Sequence, residues 1–184
     1  MGITGASGVI YGVRLLDLLR DVGGVETYLI VSDAAGEILL HEVGETVETL
    51  KGRARHFYGF HDFKAPISSG SYIFDAMVIV PCSMKTAAGI VSGYTDNLIL
   101  RAADVALKEG RKLIIVPRET PLSTVHLRNL YRLALMGVHV IPAMPAFYHK
   151  PTAVSQVVDH VVGKVLDALG IKLELFMRWG SNGA

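Results

Sequence analysis

The sequence predicts one doubly wound α/β domain, and three observations carry that reading. Short β-branched runs alternate with segments of helical period, the runs are apolar throughout, and each is followed by a loop carrying hydroxyls, cations or glycine. Unbroken apolar runs mark strands buried on both faces, as in a parallel sheet covered by helices. The alternation itself is the βαβ rhythm. A chain of 184 residues fits a single hydrophobic core, and no repeat, low-complexity tract or domain boundary interrupts it.

In order along the chain, Met1 to Thr4 reads as a first strand, clipped because only three residues precede the Thr4-Gly5-Ala6-Ser7-Gly8 loop. Ile10 to Arg20 is an amphipathic helix, and Val25 to Val31 the second strand. Lys51 to Tyr72, with its scattered histidines and its Ser68-Ser69-Gly70-Ser71 cluster, reads as a long loop over the sheet. Strands at Ala76 to Val80, Lys112 to Val116 and Val138 to Ile141 alternate with helices at Asn97 to Lys108 and Val125 to Met136. The last helix carries Val154, Val157, Val158, Val161, Val162, Val165, Leu166 and Leu169 at i, i+3, i+4, i+7 spacing, and Gly170 is placed to stop it.

Composition excludes several function classes. Hydrophobic residues make up 51% of the chain, yet no apolar run approaches the ~18 to 20 residues that cross a bilayer. The net charge is +1 with the basic residues scattered, so the electrostatic footprint of a nucleic-acid or membrane-surface binder is missing. A single cysteine, Cys82, allows no intrachain disulfide, and no charged-then-apolar leader is seen. A cytoplasmic protein that buries apolar surface between subunits is the expectation.

In an open parallel sheet, ligands bind beyond the carboxyl ends of the strands, where helix N-termini aim their N–H groups. The five strand exits read Thr4-Gly5-Ala6-Ser7-Gly8, Ser32-Asp33-Ala34-Ala35, Pro81-Cys82-Ser83-Met84-Lys85-Thr86, Pro117-Arg118-Glu119-Thr120-Pro121 and Pro145-Ala146-Phe147-Tyr148-His149. The glycines of the first let backbone approach an anion, which suits one phosphate, but the loop lacks the G-x-G-x-x-G dinucleotide pattern.

Each residue also has an ordinary structural reading. Ser32 and Ser83 fit N-caps. Arg118 fits an ion pair with Glu119 or a fork onto phosphate. Lys85 sits in the first turn of a helix, where a cation is unfavourable unless an anion is near. Lys164, at the rim of the valine stripe, fits snorkelling or a phosphate contact. Cys82 reads as a packed small hydrophobe, and the seven histidines show no metal-ligand spacing.

Taken together, Gly2-Ile3-Thr4-Gly5-Ala6-Ser7-Gly8, Pro81-Cys82-Ser83-Met84-Lys85-Thr86, Arg101-Ala102-Ala103-Asp104, Arg118-Glu119-Thr120-Pro121-Leu122 and Pro145-Ala146-Phe147-Tyr148-His149 resemble the flavin prenyltransferases, the UbiX family. The resemblance runs from the first residues to Trp179. It implies a flavodoxin-like (Rossmann-like) three-layer αβα sandwich with a mostly parallel sheet, one flavin-binding domain over 1–184, and a tail of about 171–184 closing over the site. It implies a homododecamer, dimethylallyl monophosphate as donor, reduced FMN as acceptor at N5 and C6, and prenylated FMN passed to a UbiD-type decarboxylase.

By matching motifs, the resemblance assigns FMN to Gly5, Ala6, Ser7, Ser32, Ser83, Met84, Lys85, Thr86 and Arg118, and the prenyl phosphate to Lys108, Tyr148 and Lys164. The last position is often arginine in the family, so lysine keeps charge and loses the bidentate fork. Glu42, Glu119, Trp179 and Arg101 match further residues of the family's catalytic site, Glu119 across a subunit contact.

These residue types suit the chemistry. Breaking an allylic C–O bond leaves phosphate at one end, where cations help, and positive carbon at the other, where an aromatic face helps. A carboxylate, Glu42 or Glu119, can take the proton lost from the ring. Prenyltransferases acting on diphosphates hold magnesium with paired aspartates, and this chain has no Asp-Asp pair, which agrees with a metal-independent monophosphate donor. Two rivals remain at this stage: an FMN-dependent decarboxylase of related fold, revealed by carbon dioxide from an aromatic acid, and a non-catalytic flavin carrier, revealed by redox cycling without use of a prenyl donor.

Overall fold

The computed structural model describes residues 1–180 and shows six strands in one sheet, ordered β3-β2-β1-β4-β5-β6 with every neighbouring pair parallel. The strands are β1 Gly2–Ile3, β2 Tyr28–Val31, β3 His56–Tyr58, β4 Ala76–Cys82, β5 Lys112–Pro117 and β6 His139–Val140. Seven helices connect them: α1 Val9–Val22, α2 Asp33–Val43, α3 Val47–Lys51, α4 Met84–Ser92, α5 Leu98–Lys108, α6 Thr124–Leu135 and α7 Val154–Leu169. This is the doubly wound order, with its reversal between β1 and β4.

Side chains of alternate strand positions point to opposite faces, and both faces are apolar here. Val78 and Val80 of β4 and Ile114 and Val116 of β5 meet Leu15 and Leu19 of α1 and the valine stripe of α7. Met77, Ile79, Leu113 and Ile115 face the other way, onto α4, α5 and Leu133 of α6. Ile3, Leu29 and Val31 pack beneath α1 and α2. The three layers follow from strands that are apolar on both sides.

The sequence reading differs from this fold at one edge. The loop expected over Lys51 to Tyr72 contains β3, which extends the sheet by pairing Tyr28, Leu29 and Ile30 with His56, Phe57 and Tyr58. Its rings stack along the sheet surface, His56 on Tyr28 at 4.6 Å. Three half-buried residues without an apolar run leave no strand signal in the sequence. At the other end, α7 stops at Gly170, which adopts φ 82 as a left-handed cap.

Candidate functional site

The site forms where β1 lies between β2 and β4, beyond the carboxyl ends of the strands. Thr4 ties its two central loops together. Its buried hydroxyl donates to Pro81 O at 2.8 Å and accepts from Ser83 N at 2.8 Å, while Thr4 N donates to the same Pro81 O at 3.2 Å. Sequence reading did not single out Thr4, because its partners lie 77 and 79 residues away.

Two glycines allow the close approach on which this corner depends. A Cβ on Gly5 would stand 2.6 Å from the Cβ of Ala34, and one on Gly12 would stand 2.5 Å from Val80 O. The first lets the β1 loop lie on the start of α2, and the second seats α1 on β4.

The N-terminus of α1 already holds an anion, and it is the protein's own. Glu42 Oε2 accepts from Gly8 N at 2.8 Å and Val9 N at 3.2 Å. Desolvation pulls the Glu42 pKa up, but hydrogen bonds from the Ser7 hydroxyl and the two amides, with the charge of Arg118, outweigh it and leave the pKa lowered. The phosphate expected at this loop from its glycines therefore meets a carboxylate at the α1 amides.

Arg118, leaving β5, donates from Nε to Ser7 O at 3.0 Å and forms no ion pair with Glu119 among the described residues. Ser7, Gly8, Tyr11, Glu42 and Arg118 line one side of an open cleft of about 340 Å³, and Val154, Val157 and Val158 of α7 line the other. Tyr11 was missed as a wall residue; burial raises its pKa, opposed by Arg118.

The other two central exits cap helices and keep donors in reserve. Ser32 Oγ accepts from Ala35 N at 3.2 Å, and Ser83 Oγ accepts from Thr86 N at 3.2 Å. Ser83 Oγ and Thr86 Oγ1 stand 3.0 Å apart and share one hydrogen, which leaves the second hydroxyl hydrogen to point outward. The ordinary N-cap reading of both serines is thus met without exhausting them as ligand donors. Lys85 is exposed in the first turn of α4, which contains no acid, whereas Asp33 occupies that of α2. The α4 terminus is the more favourable of the two for an anion.

A second group of predicted residues gathers on the flank of α7 and lines none of that cleft. Trp179 meets Tyr148 edge-on at 5.5 Å, and Tyr148 touches His149 at 5.6 Å and His160 at 6.0 Å. The two imidazoles stack at 5.4 Å with 5° between planes. Desolvation, then the nearby His149 and Lys164, lower the His160 pKa. His149 has both ring nitrogens buried without a hydrogen-bond partner among the described residues. Lys164 is exposed and close enough to Asp167 to help lower its pKa, after Arg178.

Three predicted residues stand apart. Lys108 ends α5, which runs antiparallel to the strands, so it lies toward their amino ends, away from the cleft, and pairs with Glu109 at 2.6 Å beside Gly70. Within one chain this sets it apart from Tyr148 and Lys164. Arg101, also on α5, binds Ser68 O at 2.9 Å and Asp104 at 2.8 Å. Glu119 is exposed and accepts from Thr120 N at 3.0 Å. The implied tail extends to residue 184, and its last four residues lie outside those described. Cys82 is fully buried, and burial pushes its thiol up to about 12.

The profile of the Flavoprotein family matches residues 1–169. The flavin prenyltransferase UbiX of Methanocaldococcus jannaschii is 50% identical over 179 residues, covering 97% of this chain and 96% of that protein. UbiX of Thermoplasma acidophilum is also 50% identical over 179 residues, covering 97% and 98%. Among solved structures, a dodecameric FMN-dependent UbiX-like decarboxylase from Escherichia coli O157:H7 superposes with a TM-score of 0.96 at 48% identity, covering 98% of this chain and 97% of that one. AnUbiX (PadA1), solved with FMN and dimethylallyl pyrophosphate, superposes with a TM-score of 0.95 at 41% identity, covering 99% and 96%. Cypemycin decarboxylase CypD, 18% identical, shares the fold alone.

Proposed function

This chain belongs to the Flavoprotein family and, within it, to the UbiX flavin prenyltransferases, and from that membership we propose that it transfers a dimethylallyl group from dimethylallyl monophosphate to N5 and C6 of reduced FMN, releasing phosphate and prenylated FMN. The observation that carries the reading is convergence: Thr4 joins the β1 and β4 exits, and Arg118 brings the β5 exit onto Ser7. Three of the motifs that carry the resemblance thereby share one corner.

The residues there fit FMN. Gly5, Ala6 and Ser7 offer backbone at a glycine too crowded for a side chain, while Ser32, Ser83, Met84, Lys85 and Thr86 offer hydroxyls, helix amides and a cation. Arg118 completes the set. Bound reduced FMN supplies the nucleophilic nitrogen and carbon.

Tyr148, Lys164 and, across a contact between copies, Lys108 take the prenyl phosphate in this reading, Lys164 as a point charge without a fork. Trp179 presents an aromatic face to the allylic carbon as positive charge builds, worth ~0.5 to 2 kcal/mol once water is excluded. Glu42, a wall of the cleft, or Glu119, from across a contact between copies, is the proposed acceptor of the proton that leaves C6.

Since Tyr148, Lys164 and Trp179 line none of the cleft of their own chain, we place the two groups together across a contact between copies, with Arg101 and Glu119 entering the same way. The dodecameric E. coli structure is in keeping with such an assembly. The exposed Val125, Leu127, Tyr131 and Leu135 of α6 give apolar surface for it. A single 1–184 domain with its tail over the site, a cytoplasmic location, and delivery of the product to a UbiD-type decarboxylase complete the proposal. Among the described residues, no helix is long and apolar enough to cross a membrane.

The test is phosphate release from dimethylallyl monophosphate under anaerobic conditions. Release that requires reduced FMN supports the proposal; no release, with carbon dioxide formed from an aromatic acid, would move the chain to the decarboxylase reading.

A further inference from the structure

The segment that follows α7, residues 171–180, folds back along that helix and is fastened to it at two points. Arg178 grips Asp167 with both guanidinium arms, Nη1 to Oδ2 at 2.9 Å and Nη2 to Oδ1 at 2.8 Å. One turn earlier on α7 is the second point, at Gly163. A Cβ there would stand 2.5 Å from Phe176 Cε1, closer than real side chains approach. A glycine inside a helix is unfavourable relative to alanine, so the conformational cost of Gly163 calls for a compensating contact. The ring of Phe176 is that contact.

Phe176 is also walled by imidazoles. It lies 4.7 Å from His160 and 6.2 Å from His149 by ring centroids, and the guanidinium of Arg178 covers it at 5.5 Å. The stacked histidines touch Tyr148 on their other side, and Tyr148 meets Trp179 three residues beyond Phe176. One aromatic chain thus runs from the socket at Gly163 to the two rings assigned above to the prenyl donor. Sequence reading singled out Tyr148 and Trp179 but neither Gly163 nor Phe176, because the seat is visible only once the tail lies against α7.

We propose that Gly163 and Phe176 form a socket that positions Tyr148 and Trp179 for the prenyl donor, making both of them positioning residues for the reaction. The role at the donor rests on the prenyltransferase reading; the socket itself does not. Gly163 is the small residue the ring requires, Phe176 is the plug, and His149 and His160 carry the plug's position to Tyr148. FMN is assigned to the loops that follow β1, β2, β4 and β5, which contain none of Tyr148, Gly163, Phe176 and Trp179.

The experiment uses the whole chain. Trp179 is its only tryptophan, so the fluorescence anisotropy of the indole reports the tail directly. Gly163→Ala should improve helix propensity yet expel Phe176, lowering Trp179 anisotropy. It should also raise KM for dimethylallyl phosphate, with a loss in kcat/KM on the order of ten- to a hundredfold, while FMN affinity stays at the parent value. Phe176→Leu placed on top of Gly163→Ala makes room for the new methyl and should restore both readouts in part. Phe176→Ala, which leaves the helix alone, should reproduce the loss.

Unchanged anisotropy in both Gly163→Ala and Phe176→Ala would overturn the socket. Lowered anisotropy with an unchanged KM would keep the socket and overturn its positioning role. If the parent itself consumed no prenyl donor, anisotropy would still decide the socket, and only the prenyltransferase reading would fall.

Discussion

Replacing Thr4 by valine removes one oxygen and nearly preserves the shape of a side chain that is 2% exposed. Two hydrogen bonds disappear, to Pro81 O and from Ser83 N, each 2.8 Å. Pro81 O keeps Thr4 N at 3.2 Å, so the damage falls on the Ser83 amide. A lost bond is worth roughly 0.5–1.5 kcal/mol, and an amide left unsatisfied costs about 1–3 kcal/mol. The added methyl returns about 0.8 kcal/mol of apolar burial. The net expectation is about 2 kcal/mol of lost stability, or a Tm lower by about 4–8 °C in a chain of this size. Because Ser83 caps α4 from the same residue, FMN affinity should fall as well, and Thr4→Ser should recover most of both. Urea unfolding with an unchanged slope, together with FMN titration, provides the assay. A Thr4→Val protein within about 0.5 kcal/mol of its parent and equal in FMN affinity, inside the scatter of a neutral surface change, would refute the claim that this hydroxyl joins the two loops.

Three further outcomes follow from the same geometry. Arg118→Ala should weaken FMN binding by roughly ten- to a hundredfold, the worth of a charge-assisted contact of about 1.5–3 kcal/mol, with Arg118→Lys recovering only part; unchanged FMN fluorescence titration would remove Arg118 from the flavin site. Glu42 has a lowered pKa in the folded state, so the unfolded chain binds its proton first, and the stability it contributes is present above the ordinary carboxylate range and lost as pH falls through the folded value. Glu42→Gln should therefore flatten the acid limb of stability against pH, measured by denaturation at a series of pH values. Finally, Arg118→Ala and Lys164→Ala chains, each impaired alone at limiting FMN, should regain turnover when unfolded and reassembled together, since some mixed contacts then contain one intact half from each; mixtures as impaired as the two variants apart would contradict a site shared between copies.

The sequence made the central strands legible because their residues are apolar on both faces, the one pattern a doubly covered parallel sheet requires. Ala76 to Val80 and Lys112 to Val116 announce β4 and β5 in this way, while His-Phe-Tyr of β3 does not, its rings being half-buried at an open edge. Loop chemistry was legible too: Ser32 and Ser83 show their capping role through position alone. What the spacing could not reveal was who meets whom. Nothing local shows that Glu42 spans 34 residues to fill the α1 amides, or that Lys108 lies at the far end of α5 from the cleft of its own chain; both depend on helix direction and length. The Gly163 seat is hidden for a related reason, since a helical glycine has meaning only through the ring that lies against it.

The measurement that bears most directly on the proposed activity is the mass of the flavin after anaerobic incubation of the protein with reduced FMN and dimethylallyl phosphate. The account predicts a flavin heavier by one dimethylallyl unit, formed in step with released phosphate. Recovery of unmodified FMN from a fully folded, flavin-saturated protein would contradict it.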